Sequence, residues 1–285
     1  METALLTELN IYPIKSCGGI ALREATITQV GLMSEDIFDR EWMVVDADGR
    51  FITQRDFPTM ALIRPRIKSD TLELHAPGML PINIPLGLPD PDSAPTLKVR
   101  VWDDEVLAYD CDDVTALWFS KAIGVPCRLA RFHPLATRHA DRQWTGGLAA
   151  PTMFCDGFPL LMIYQASLDE VNRRLGLLQR EPLPMNRFRP NLVLSGTEAF
   201  EEDFAESIEL GDAVIKSVKP CPRCPVPAVD QATGVPGPDP RDVLRSERSD
   251  PRLKGQVTFG SNCILLQGEG ATLRVGQAAG IVLGF

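Results

Sequence analysis

Short runs of hydrophobic residues broken by turn signals dominate this chain, the pattern of half-buried strands. Residues 5–14 carry the first run, which ends at the turn Ser16-Cys17-Gly18-Gly19. Residues 42–46 and 50–53 flank Ala47-Asp48-Gly49, and 97–102 and 106–109 flank Asp103-Asp104, so both pairs predict hairpins. Further strands are expected at 60–67 and 71–75, then at 158–164, 190–195, 206–218, 256–267 and 272–283. Within 206–218, Gly211-Asp212 separates two arms as another hairpin turn. Residues 76–96 hold six prolines and read as loop.

Helical spacing stands out in two places. At about 113–123, Asp112 is placed to cap, Val114, Leu117, Trp118 and Phe119 make an apolar side, and Gly124 ends the run. From Ser167 to Leu175, Ser167 and Glu170 have the spacing of a capping box, with Gly176 at C′. Many strands, few helices and no regular strand–helix alternation predict an α+β, mostly β, barrel-like fold. The polar stretch 132–148, with His133, Arg138, His139 and Gly146-Gly147, marks either a boundary between domains at 1–132 and 133–285 or a mobile active-site loop. Its histidines read as loop or surface residues. The polar, Pro/Gly-rich segment 231–255 is expected to flank a site.

Composition narrows the function classes. At 285 residues there is ample length for a sizeable core. A net charge of −9 argues against nonspecific nucleic-acid binding but leaves room for a local basic site. No apolar run approaches the roughly 18 residues of a membrane span, and no secretion signal opens the chain. The seven cysteines therefore read as reduced thiols of a cytoplasmic protein.

The most pointed chemistry is Cys221-Pro222-Arg223-Cys224, set among Pro220, Pro225 and Pro227. Four prolines in eight residues predict a stiff, irregular loop rather than a helix or central strand. A zinc site would need a second ligand pair, and the other five cysteines are scattered singly. A thioredoxin-type dithiol needs a following helix, which Pro225 and Pro227 cut short after one turn. Two readings stay open: a single thiolate on a metal or metal cofactor with Arg223 pairing an anion, and a loop of unreactive cysteines.

Candidate anion-binding groups are dispersed. Lys15 and Ser16 precede Gly18-Gly19, a turn able to present N–H groups, although it is not a P-loop. Arg40 lies between carboxylates in Asp39-Arg40-Glu41. Arg189 and Asn191 sit in Arg187-Phe188-Arg189-Pro190-Asn191, just before a strand. Ser167 opens a helix, a place where phosphate can bind. Each alone is equally an ordinary turn, ion pair or cap.

Together these stretches resemble the MOSC superfamily, in particular the group of the mitochondrial amidoxime-reducing component and its bacterial relatives. The resemblance runs through Leu9–Cys17, Asp39–Val44, Thr53-Gln54-Arg55, Ala166-Ser167-Leu168, Arg187–Asn191, Cys221–Cys224, Thr233-Gly234 and Phe259-Gly260-Ser261-Asn262. It implies a β-barrel-containing MOSC fold behind an N-terminal MOSC-associated β-rich domain, and a molybdenum–molybdopterin cofactor. Cys224 would then be the metal ligand and catalytic residue. Lys15, Ser16, Arg40 and Arg189 would contact the cofactor, with Ser167, Asn191 and Arg223 as further candidates. The implied reaction is reduction of N-hydroxylated compounds such as hydroxylamines, amidoximes and N-hydroxylated base analogues. No Gly-x-Gly-x-x-Gly and no iron–sulfur cysteine cluster is present, so electrons are expected from a separate ferredoxin-, flavodoxin- or cytochrome-type protein. The alternative is a sulfur carrier or cofactor carrier, related to the end domain of pyridoxal-phosphate-dependent molybdenum cofactor sulfurases. This chain has no room for the aminotransferase-like domain of those enzymes.

Overall fold

The computed structural model describes residues 2–90 and 94–284; Met1, residues 91–93 of the proline-rich loop and Phe285 lie outside the described residues. A closed seven-stranded barrel organises the chain. Around it run Leu160–Tyr164, Leu192–Ser195, Glu2–Ile11, Ala278–Leu283, Ala205–Leu210, Ala213–Pro222 and Gln256–Gln267, which returns to Leu160–Tyr164. The mostly β, barrel-containing expectation is therefore met. The first strand of the chain is a stave of a barrel otherwise built from the second half.

Strand Glu2–Ile11 shows how a sequence pattern becomes a wall. Ala4 and Leu6 face inward, and so do Leu9 and Ile11, three residues out of phase. A bulge between Leu6 and Glu8 absorbs the extra residue and restores the alternation. With Met162, Leu192, Leu194, Ile208, Ile215, Leu265 and Ile281, these side chains belong to the main core.

The only parallel pair among the barrel neighbours, Leu160–Tyr164 beside Leu192–Ser195, is joined by helix Gln165–Leu177. Leu168, Val171 and Leu175 pack it against Ile163, Val193 and Phe259 in a second apolar cluster. The helix differs from its predicted ends. It starts straight off the strand with Tyr164 at its N-cap, so Ser167 sits inside the first turn and caps nothing. Gly176 lies within the helix, and Gln179, at φ 56°, provides the left-handed stop. The N–H groups of Gln179 and Arg180 bond the carbonyls of Gly176 and Leu175, a Schellman closure.

A second sheet orders Thr96–Val101, Asp104–Asp110, Arg128–Phe132 and Trp42–Val45, with helix Asp113–Ile123 against it. That helix has its predicted limits: Asp112 accepts from the Thr115 N–H at 2.8 Å, and Gly124 closes it at φ 92°. The hairpin 96–110 turns one residue early, at Trp102-Asp103.

Other expectations shift. Residues 58–62 coil as a 3-10 turn, so only Arg64–Ile67 is strand, beside Thr71–His75. Inside the proline-rich stretch, Ile82–Pro85 forms a third strand of that sheet, its prolines at or before the ends, where a missing N–H costs least. The arm predicted at 50–53 reduces to isolated bridges. The run 272–283 divides: Thr272–Arg274 pairs with Glu24–Thr28, and Ala278–Leu283 enters the barrel. His133 is buried against Tyr109, at a ring separation of 4.4 Å, rather than on the surface.

Ser167 illustrates a polar group spent inside the fold. Its hydroxyl donates to the Glu202 carboxylate at 2.6 Å and accepts from the Phe200 N–H at 2.7 Å. Glu202 is fully buried, its Oε1 has no partner, and burial pushes its pKa up from 4.5 to about 7. The raised folded-state pKa gives stability that is complete below pH 4.5 and is lost as pH rises through about 7. Glu202→Gln should abolish that loss. Urea denaturation at several pH values should show the variant gaining on the parent protein by on the order of 3 kcal/mol between pH 4.5 and 7, then no further. Parallel pH profiles would contradict this account.

Candidate functional site

The segment after the first strand runs beside residues 39–42. Tyr12 N–H donates to Asp39 Oδ1 at 2.7 Å, Arg40 N–H to the Tyr12 carbonyl at 2.9 Å, and Lys15 N–H to the Trp42 carbonyl at 2.8 Å. This places Lys15, Ser16 and Arg40 on one side of a cleft. The barrel ends supply the other side: Arg189 and Asn191 before Leu192–Ser195, and Cys221–Cys224 at the end of Ala213–Pro222. Seven of the eight residues singled out from the sequence line this cleft; Ser167 does not, because its hydroxyl is held by Glu202 and Phe200.

The Cys221–Cys224 segment is less irregular than its prolines suggest. The barrel strand continues through Cys221 and Pro222, pairing Pro220 with Ser261 and Pro222 with Thr258. Register shifts on either side keep the prolines out of the regular ladder. The Arg223 N–H then bonds the Val257 carbonyl at 2.8 Å, and a single 3-10 turn, Val226–Ala228, follows. Both thiols are free. Arg223 donates to Cys221 Sγ at 3.3 Å and to the Phe188 carbonyl at 2.8 Å. Burial raises the Cys221 pKa, with Arg223 working against it.

Backbone strain concentrates here. Ser16, Arg40 and Arg189 adopt φ of 65°, 53° and 59°, a region L-residues with long side chains seldom occupy. Each non-glycine residue held this way costs on the order of 1–3 kcal/mol, and such strain tends to gather at ligand sites.

Five cations line the cleft, Lys15, Arg40, Arg55, Arg189 and Arg223, against one carboxylate, Asp156. In a chain of net charge −9 this is a local reversal of sign. Arg40 and Arg189 both lie against the Tyr12 ring, at 4.4 and 4.2 Å. Arg40 pairs with Asp39, which outweighs burial and raises its pKa. Arg189 donates to the Cys17 carbonyl at 2.7 Å, but its Nη2 is buried with no partner, and burial lowers its pKa to about 10. Arg223 Nε is likewise buried and unbonded. Unpaired guanidinium donors are costly inside a protein, and an anion in the cleft would supply the missing acceptors.

Two members, Arg55 and Asp156, had no assigned role from sequence; both meet Lys15 or its partner. Lys15 donates to the Phe154 carbonyl at 2.8 Å and to Asp156 at 2.5 Å; burial lowers its pKa although Asp156 opposes. Burial would raise the Asp156 pKa, but Lys15 and Arg55 more than reverse it. The Asp156 side chain is 58% exposed, so solvent screens these pairs. Arg55 reaches Asp156 at 3.4 Å; burial opposes its charge, and Cys224 and Asp156 raise its pKa. Arg55 was visible in Thr53-Gln54-Arg55, whereas nothing local marks Asp156. Asn191 Oδ1 accepts from the Leu161 N–H at 3.0 Å and Nδ2 donates to the Asn10 carbonyl at 3.1 Å, knotting three barrel strands at the cleft floor. The segment 231–255 touches the site edge through Arg241, which donates to the Arg223 carbonyl at 3.1 Å, and through the reciprocal amide pair Gln54–Gln231.

A barrel with this basic, thiol-bearing cleft defines the class of protein. The MOSC N-terminal beta barrel domain matches residues 3–126, and the MOSC domain matches residues 149–279. The chain is 34% identical over 260 residues to mitochondrial amidoxime reducing component 2 of Rattus norvegicus, covering 89% of this chain and 75% of that protein. It is 32% identical over 285 residues to mitochondrial amidoxime-reducing component 1 of Homo sapiens, covering 97% and 82%. Molybdenum cofactor sulfurase of Bos taurus is 30% identical over 268 residues, covering 89% of this chain but 30% of that protein. This chain belongs to the MOSC-domain family. Among the described residues no helix is long and apolar enough to cross a membrane, and no group of three or more His, Cys, Asp or Glu side chains is arranged to hold a metal ion.

The wall carrying Asp156 depends on Arg138. This buried guanidinium donates to the carbonyls of Met153, Cys155 and Asp156 at 3.0, 2.6 and 3.1 Å, and to Asp104 at 2.6 Å. Arg138→Met should cost roughly 2–4 kcal/mol by leaving buried carbonyls unpaired. Chemical denaturation measures this, and a loss under 1 kcal/mol would mean the wall stands without it.

Proposed function

We propose that this chain binds a molybdenum–molybdopterin cofactor and reduces N-hydroxylated compounds, taking electrons from a separate donor protein. The observation that carries the reading is the meeting of Cys224 with five cations in one cleft, with Arg189 Nη2 left unbonded. A thiolate suits a soft metal centre, and guanidinium and ammonium groups suit an anionic pterin phosphate. The names of the amidoxime-reducing relatives support the same chemistry.

In this reading Cys224 is the protein's metal ligand, and Arg40, Arg189, Arg223, Lys15 and Ser16 hold the anionic cofactor. When bound, the cofactor would supply two-electron redox chemistry, so that R–NHOH with two electrons and two protons yields R–NH2 and water. The protein's own residues orient and neutralise. Asn191 spends its amide on the barrel and keeps the Arg189 corner rigid. Asp156 keeps a negative charge in the cleft wall across the neutral pH range, because Lys15 and Arg55 depress its pKa. The likeness to the molybdenum cofactor sulfurase keeps a sulfur-carrying role as the second reading.

Two measurements decide. Protein from a molybdopterin-competent host should contain molybdenum and reduce hydroxylamine with reduced viologen. Cys224→Ser should lose at least tenfold in activity together with its metal, since a hydroxyl is a poor replacement for a soft thiolate. Cys221→Ser should be milder. Cyanolysable sulfur on a cysteine, with no turnover, would establish the sulfur carrier instead.

Arg189→Met tests the anion site. It should cost the cofactor-free protein only about 1 kcal/mol, because the loss of the donor to the Cys17 carbonyl is offset by removal of the unsatisfied Nη2. The loaded protein should lose about 2–5 kcal/mol. Thermal unfolding of both forms checks this, and equal losses would make Arg189 purely structural.

A further inference from the structure

Five side chains form a closed ring of contacts beside the cleft: Lys15, Arg55 and Asp156 line it, and Phe51 and Trp102 stand next to them outside the lining. Lys15 bonds Asp156 at 2.5 Å, and Asp156 meets Arg55 at 3.4 Å. Arg55 lies over the Trp102 ring at 5.0 Å, Trp102 meets Phe51 edge-on at 5.0 Å, and Lys15 lies 5.2 Å from the Phe51 ring. Lys15 and Arg55 are largely buried, whereas the indole of Trp102 is half exposed.

Trp102 occupies an unfavourable place for its residue type. It is the first residue of a two-residue hairpin turn, at φ 56°, where glycine is the comfortable choice. A large ring held in the left-handed region at a solvent-exposed tip gains little from core packing. Its hairpin is also tethered. Asp104, two residues on, receives the Arg138 guanidinium at 2.6 Å, and that same guanidinium holds the carbonyls of the Asp156 wall. Trp102 is thus fixed to the cleft wall from two directions while much of its ring faces water.

We propose that Trp102 is a stacking platform for the flat, conjugated part of substrate, and so selects planar N-hydroxylated compounds over small saturated ones. The inference rests on the reductase reading above. Aromatic faces bind planar π-systems with little demand on their hydrogen-bond pattern. The Arg55 guanidinium, itself planar, lies over one face of the indole and lines the cleft together with Cys224, so the exposed remainder of the ring is the part open to a flat ligand. The class this chemistry fits is an aryl amidoxime or an N-hydroxylated heteroaromatic base. Trp102 is a specificity residue; it touches no reacting atom.

The test uses loaded protein and two probes, benzamidoxime and hydroxylamine, which has no ring to stack. In Trp102→Leu the ratio of kcat/KM for benzamidoxime to that for hydroxylamine should fall about tenfold, equivalent to about 1.4 kcal/mol, with the change in KM rather than kcat. Trp102→Phe should restore most of the ratio. An unchanged ratio, or failure of the aromatic replacement to restore it, would overturn the proposal. Calorimetric titration with benzamidine, the flat product of benzamidoxime reduction, gives a readout independent of turnover. Binding should weaken about tenfold in Trp102→Leu, and equal binding to parent and variant would overturn the platform. If the loaded parent protein reduces neither probe, the reductase reading fails, and the benzamidine titration still decides whether Trp102 binds planar ligands.

Discussion

Two guanidinium groups, Arg40 and Arg189, rest against the ring of Tyr12, and much of the structure exists to keep them there. Like charges at such separation repel, and burial adds a desolvation cost to each. The protein offsets this with Asp39, buried beside Arg40, and with the π-face of Tyr12. It does not neutralise Arg189, whose pKa stays depressed and whose Nη2 stays unbonded. In the proposed reading, the anionic cofactor supplies the partner that Arg189 lacks.

Barrel closure follows from the same requirement. Tyr12 and Lys15 lie just past the first strand, and Arg189 and Cys224 lie more than 170 residues further on. Threading Glu2–Ile11 between Leu192–Ser195 and Ala278–Leu283 brings them together. The bulge between Leu6 and Glu8 allows that strand to fill the core on both sides of its kink. Asn191 then ties Asn10 and Leu161 at the point where the cationic groups converge. Stability and site are built from one set of bonds, so changes at Asn191 are expected to disturb both.

The wall opposite shows a different economy. Arg138 uses its donors on backbone carbonyls and on a carboxylate half open to solvent. That single side chain positions Asp156 on one side and the Trp102 hairpin on the other. Asp156, at the mouth, remains in contact with water and is screened; the largely buried guanidiniums of Arg40 and Arg189 at the floor are not. The cleft is therefore graded, from a dry basic floor to a wetter edge at Asp156, with the half-exposed Trp102 beside it.

Much of this was legible along the chain because it rests on local rules. Asp112 and Gly124 bound their helix as capping and left-handed termination require, and Gly211-Asp212 turns its hairpin. The ordered motifs around Lys15, Arg40, Arg189 and Cys224 pointed to one family and one cleft. Local rules failed where a distant partner decided. Ser167 has the spacing of a cap, yet Glu202 claims its hydroxyl, because the helix begins directly from a buried strand. The prolines around Cys221 suggested a loop, yet Gln256–Gln267 pairs with them through bulges. Asp156 has no local signature, and Arg138 stood out only as part of a polar stretch, since their roles come from carbonyls and cations brought near by the fold. Residue type and spacing determined which groups carry charge and where strands and turns form. Only the closed barrel decided which of those charges share a cleft, because burial and electrostatic coupling depend on distance through space rather than along the chain.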